Sequence, residues 1–125
     1  MKFSTNKEKG NSGIGVAIGY FTTEGNIVSI PINDTQDYDL VVDIENSLKK
    51  VQVKATTEKE RSGATRVSLA SNGGTKGVRY KTVSETDIDL VFVVNELQEK
   101  WIIPKEIVTV KTYLTLGKKY SRYKV

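Results

Sequence analysis

Apolar residues change their spacing along this chain, and each change marks an element. Ile14, Ala17, Ile18 and Phe21 recur at i, i+3, i+4 and i+7, which is one face of a helix. Gly25 follows as a stop, so the spacing predicts a helix over 12–24. An earlier start has a cap in Thr5 or Asn6, with Glu8 in the first turn, although Gly10 and Gly13 weaken it. The period then drops to 2. Ile27-Val28-Ser29-Ile30 reads as a short strand ended by Pro31, and Asn33-Asp34-Thr35-Gln36-Asp37 is turn chemistry. Residues 38–56 form two β-rich runs around a polar tip at Glu45-Asn46-Ser47, a hairpin pattern.

Beyond the hairpin, Glu58-Lys59-Glu60-Arg61-Ser62-Gly63 reads as a charged loop and 64–70 as a weakly alternating strand. A Gly-rich loop at 71–77 leads to a short extended piece at 78–83. Asp89-Leu90-Val91-Phe92-Val93-Val94 has the continuous apolar character of a buried central strand. A turn at 95–99 joins it to Lys100-Trp101-Ile102-Ile103, and Pro104 suits the first position of a short helix running to about residue 108. There is no internal repeat or low-complexity segment. The order predicts one α/β domain over 1–125, with a mixed central β-sheet flanked by an N-terminal helix and a short C-terminal helix.

Composition narrows the chemistry. A chain of 125 residues suits one domain. Its net charge of +4 permits an anionic partner without requiring one. Cys and His are both absent, which excludes Cys/His zinc sites, disulfides, thiol nucleophiles and histidine bases. Acid–base and metal work falls to Asp, Glu, Lys, Tyr and the amides. The N-terminus has no apolar signal region, and no run reaches the ~18 apolar residues of a membrane span. The expectation is a cytoplasmic protein with no membrane partner.

The hairpin carries the best candidate. Side chains alternate faces along a strand, so Asp39, Val41 and Asp43 share one face of the first run, and Gln52 and Lys54 share one face of the second. In the right register Asp39, Gln52 and Lys54 converge. A carboxylate, an amide oxygen and the Val53 carbonyl supply oxygen ligands for a hard cation such as Mg²⁺, and the Lys54 ammonium offsets charge on a phosphate. The same pattern also fits a half-exposed strand with ordinary polar residues on its wet face. Two basic regions are candidates for phosphate contact. One is the loop with Lys76, Arg79 and Lys81, otherwise a plain connector. The other is the tail with Lys111, Tyr113, Lys118, Lys119, Tyr120, Arg122, Tyr123 and Lys124, otherwise solvated with its tyrosines on the core. Gly73-Gly74-Thr75-Lys76 lacks the spacing of a phosphate-binding P-loop, and Trp101 reads as a core or interface anchor.

Tyr38-Asp39-Leu40-Val41-Val42-Asp43 followed by Val51-Gln52-Val53-Lys54-Ala55-Thr56 resembles the PD-(D/E)xK nuclease superfamily. The resemblance is closest to its small group I intron-type endonucleases and more distant to archaeal Holliday-junction resolvases. The element order around the hairpin extends it over most of the chain. It implies a restriction-endonuclease-like fold and a Mg²⁺-dependent endonuclease, with Mn²⁺ able to substitute, acting on double-stranded DNA as a homo-oligomer (a dimer or tetramer). It implies Asp39 as a metal ligand, Gln52 in the place of the usual second acid, and Lys54 as the catalytic lysine. Many relatives carry a Glu on the first helix that reaches the metal; Glu8 is the nearest acidic residue upstream and stands in for it here. A junction-resolving nuclease, a DNA-binding module that has lost cleavage, and a protein-interaction domain are the alternatives.

Overall fold

The computed structural model describes residues 5–72, 78–80 and 83–125, with main chain only at 70–72, 78–80 and 84. Helix α1 spans Asn6–Thr23, starting well before residue 12. Thr5 is its N-cap: the Thr5 hydroxyl accepts a hydrogen bond from the Glu8 N–H at 3.1 Å, satisfying one of the open donors of the first turn. The helix stops where Gly25 takes φ +87° and the Asn26 N–H closes onto the Phe21 carbonyl.

The strands in chain order are β1 (Ile27–Ser29), β2 (Leu40–Ile44), β3 (Ser47–Thr56), β4 (Thr65–Ser68), β5 (Ala70–Asn72), β6 (Val78–Tyr80), β7 (Leu90–Asn95), β8 (Lys100–Pro104) and β9 (Tyr113–Leu116). Five of them form the main sheet in the order β1-β2-β3-β7-β8. Strand β3 runs parallel to β7, and the other neighbours are antiparallel, so the sheet is mixed. Strands β4 and β9 pair in a second small sheet, and β5 and β6 in a third.

Strand alternation divides the main sheet into two faces. Leu40, Val42, Val51, Phe92 and Val94 are buried with Ala17 and Phe21 of α1. Each of the Leu, Val and Phe side chains removed from water contributes about 1.5–3 kcal/mol. The close approach of the helix depends on Gly13. A Cβ there would lie 2.9 Å from the Ala55 Cβ and 3.3 Å from the Val53 Cγ1. A residue read from sequence as a helix weakener is thus where α1 meets β3. On the opposite face, Val91, Val93, Trp101 and Ile103 are covered by Val67, Leu114 and Leu116 of β4 and β9.

The β2–β3 turn uses Glu45 at φ 51° and Asn46 at φ 66°, with Ile44 paired to Ser47. Two consecutive left-handed residues match the twist of an antiparallel pair. Ser47, expected in the tip, is therefore the first residue of β3.

Residues 71–72, expected to open a Gly-rich loop, belong to β5, and three segments nearer the C-terminus also differ from expectation. Pro104 does not open a helix; it ends β8 with φ −59° and ψ 140° and leads into a single 3-10 turn, Lys105–Ile107. Its missing N–H costs nothing on an edge strand, where half the donors are unpaired. The basic tail is folded: Lys118–Tyr123 is a 3-10 segment, Tyr120 is buried, and the Val125 N–H donates to the Lys100 carbonyl at 2.9 Å. Strand β9 was not anticipated, although the alternation of Tyr113-Leu114-Thr115-Leu116 was its signal; Leu114 and Leu116 are buried and their neighbours exposed.

Candidate active site

Asp39 stands one residue before β2. Its N–H donates to the Val51 carbonyl at 2.9 Å. Leu40 pairs with Val51, so Asp39 faces Gln52 across the hairpin. One oxygen of the Asp39 carboxylate, Oδ2, accepts a hydrogen bond from the Val53 N–H at 2.8 Å. The N–H and C=O of one strand residue lie along the same edge. The Val53 carbonyl therefore points to the side of Asp39, beyond the start of β2. Gln52 and Lys54 pair along β7 with Val91 and Val93 and share the face turned away from α1.

Electrostatics at the pair follow from burial. Asp39 is held above the ordinary carboxylate range by loss of water; the Val53 N–H and the Lys54 charge partly offset this. Burial depresses the Lys54 ammonium, and Asp39 opposes that shift. Each ion steadies the charge of the other in a site that disfavours both.

The Gln52 amide is also fixed. Its Nε2 donates to the Asp37 carbonyl at 3.3 Å. The Asp37 carboxylate accepts from the Asp87 N–H at 3.0 Å. Asp87 in turn pairs with the Lys50 Nζ at 2.8 Å, while the Lys50 N–H donates to the Asp89 carboxylate at 2.9 Å. Sequence reading missed Asp37, Asp87, Asp89 and Lys50. The pair Asp87 and Asp89 directly before the most apolar strand was the available signal.

Glu8 lies exposed in the first turn of α1. Gly13 abuts Ala55, and Glu8 is about 7.5 Å farther along the helix axis. Lys118, Lys119 and Arg122 are exposed on the C-terminal 3-10 segment, which packs chiefly on β8 and β9. Lys119 and Arg122 lie over the Tyr120 and Tyr123 rings at 5.5 and 5.4 Å. Lys76 and Lys81 fall outside the described residues, and Arg79 lies on β6 with its main chain alone described. The structure thus brings Asp39, Gln52, Val53 and Lys54 together and leaves the basic tail elsewhere.

The donor chemistry fits a hard divalent cation. Asp39, the Gln52 amide and the Val53 carbonyl offer oxygen only, and Mg²⁺ takes few protein oxygens and keeps several waters. Among the described residues, no group of three or more acidic side chains gathers in a metal-holding arrangement. No helix among them is long and apolar enough to cross a membrane.

A mixed sheet backed by an N-terminal helix, with a carboxylate, an amide and a lysine on its central hairpin, defines a restriction-endonuclease-like α/β protein. Residues 4–124 match the family model described as PD-(D/E)XK endonuclease, and the chain belongs to that family. Among solved structures it is similar to a bacterial homing endonuclease, I-Ssp6803I, with a TM-score of 0.78 and 23% identity, covering 98% of this chain and 88% of that one. This likeness establishes the fold. No curated protein matches the chain. Membership makes the protein a nuclease, with DNA as its class of substrate, in a family that generally uses divalent metals.

Proposed function

We propose that this nuclease is a Mg²⁺-dependent endonuclease of the homing type that hydrolyses phosphodiester bonds in double-stranded DNA, with Mn²⁺ able to replace Mg²⁺. The observation that carries the reading is the Asp39 carboxylate anchored on the Val53 N–H with the Lys54 charge beside it. Asp39, Gln52 through Oε1 and the Val53 carbonyl would hold the cation, with Glu8 completing the set. The cation supplies Lewis acidity to the scissile phosphate and to bound water.

The remaining work belongs to the chain. Lys54 orients the attacking water and offsets charge as it builds on the phosphate oxygens. The water oxygen bonds to phosphorus as the bridging P–O bond breaks; the water's proton leaves to solvent, and the departing sugar oxygen takes a proton from solvent to leave as a hydroxyl. Burial depresses the Lys54 ammonium, and the Asp39 charge opposes that depression. Lys76, Arg79, Lys81, Lys118, Lys119 and Arg122 contact DNA phosphates in this reading, and the protein works in the cytoplasm as a single nuclease domain.

One site cuts one strand, so double-strand cleavage calls for a homo-oligomer, a dimer or tetramer. Exposed Ile27, Ile30, Ile32 and Leu48 support this. Ile27 and Leu48 flank Asp43 on neighbouring strands, which makes them part of one surface.

The test is cleavage of a mixed duplex pool with Mg²⁺ or Mn²⁺. Loss of cutting in Lys54→Ala is the expected result; equal cutting by Lys54→Ala would overturn the role. A second reading is a DNA-binding protein of the same fold that no longer cuts. It is favoured by Asp39 being the one carboxylate of the trio Asp39, Gln52 and Lys54. Salt-sensitive DNA binding with no calorimetric Mn²⁺ binding at any pH would select it.

A further inference from the structure

The hairpin site presents an amide where a cation needs an oxygen. An amide has two ends, and only Oε1 can ligate. The Asp37 carbonyl decides which end faces outward. A carbonyl only accepts, so the atom 3.3 Å from it must be Nε2. With Nε2 held there, Oε1 is the end left for a ligand. A carboxylate at this position would need no such guide, because its two ends are alike.

The carbonyl is itself held in place. The Asp37 carboxylate accepts from the Asp87 N–H at 3.0 Å. Asp87 is latched by Lys50 at 2.8 and 2.9 Å. Lys50 also lies over the Tyr38 ring at 5.6 Å, and the Gln36 Nε2 donates to the Tyr38 carbonyl at 3.2 Å. The turn before Asp39 is thus braced from β3 and from the segment entering β7.

We propose that Asp37 is a positioning residue for the metal site: its carbonyl turns the Gln52 amide so that Oε1 faces the cation, and its carboxylate, tied to the Asp87 N–H, holds that carbonyl in place. The inference rests on the nuclease reading of the hairpin. It explains how a neutral side chain serves where the family pattern has an acid, since orientation replaces charge.

The test is direct Mn²⁺ binding, by calorimetry without DNA, on the whole protein and its Asp37→Ala, Asp37→Asn, Gln52→Ala and Asp37→Ala/Gln52→Ala variants, each checked for folding by circular dichroism. Asp37→Ala is expected to weaken Mn²⁺ binding about tenfold, the lower range for loss of a group that orients a metal ligand. Asp37→Asn, which still accepts from the Asp87 N–H, is expected to stay within about twofold of the parent. In the Gln52→Ala background, Asp37→Ala is expected to add nothing, because the two residues act through one ligand. Unchanged binding in Asp37→Ala overturns the proposal. So does a full Asp37→Ala effect that persists without Gln52, which would make the role merely structural. If Asp37→Ala does not fold, the Asp37→Asn variant decides: a tenfold loss in a folded protein overturns the proposal, and parental binding supports it. Failure of the underlying reading looks different: the parent itself binds no Mn²⁺, or cleavage survives Lys54→Ala.

Discussion

The main sheet contains two hairpins, and each holds a polar residue against its interior. In the β7–β8 hairpin, Asn95 is only 5% exposed. Its Nδ2 donates to the Thr65 hydroxyl and the Glu99 carboxylate, both at 2.9 Å. Its Oδ1 accepts from the Leu97 and Glu99 N–H groups at 3.0 and 2.9 Å. Every hydrogen-bonding position of the amide is used. In the β2–β3 hairpin, Asp39 receives a main-chain N–H at one carboxylate oxygen, and Gln52 gives Nε2 to a carbonyl. Among the described residues, oxygen capacity remains there, beside a half-buried lysine. A saturated buried amide pins a turn. An unsaturated carboxylate and amide beside a depressed ammonium form a site that spends folding stability on reactivity.

The comparison breaks most sharply at Lys54. Lys54→Ala is expected to lower single-turnover cleavage of duplex DNA by about a hundredfold or more, with circular dichroism unchanged. Asn95→Ala should do the reverse. It strands the Thr65 hydroxyl, the Glu99 carboxylate and two N–H groups, costing about 2–3 kcal/mol in urea unfolding, while cleavage per folded molecule stays at the parental level.

A smaller effect separates two glycines of the same helix. Gly13→Ala pushes a methyl to 2.9 Å from the Ala55 Cβ on the strand that carries Gln52 and Lys54. We expect a loss of about 1–2 kcal/mol from overpacking, larger than the gain in helix propensity. Gly10→Ala meets nothing within 4 Å, and the gain of about 0.5–1 kcal/mol should appear in full.

The smallest effect is on pH. Asp39 is raised in the folded protein, so the folded state holds this proton more tightly than the unfolded chain. Its contribution to stability is complete below the ordinary carboxylate value of about 3.9 and is lost as pH rises through the higher folded value. Lys54 is depressed, so its contribution is present above the ordinary lysine value and lost as pH falls through the folded one. Denaturation of Asp39→Asn across mildly acid pH should lack the first component. A parent and variant with parallel stability curves there would contradict it.

The hairpin was legible because its signals are local. Alternation put Leu40 and Val42 on one face and Asp39 on the other, and the structure keeps that parity. The main strands were legible for the same reason, as was the body of α1. Pro104 was misplaced because proline suits both a helix start and an edge strand, and only pairing with Leu90 chooses between them. The tail was open between phosphate contact and a solvated form with its tyrosines on the core, and the burial of Tyr120 and the Val125 hydrogen bond to Lys100 are contacts that only the folded chain supplies.

Periodicity, caps and the absence of Cys and His are properties of neighbouring residues and of composition. By itself, therefore, the sequence determined most of the elements, the shared faces of the hairpin and a chemistry confined to oxygen ligands and lysine. Everything that depends on contact between distant segments was left to the tertiary structure: the parallel pairing of β3 with β7, the cover that β4 and β9 place over one half of a face, and the need for glycine at position 13. The end of the Gln52 amide that faces outward belongs to this second group. It depends on a carbonyl in a turn held by a segment far along the chain, and alternation along β3 carries no information about it.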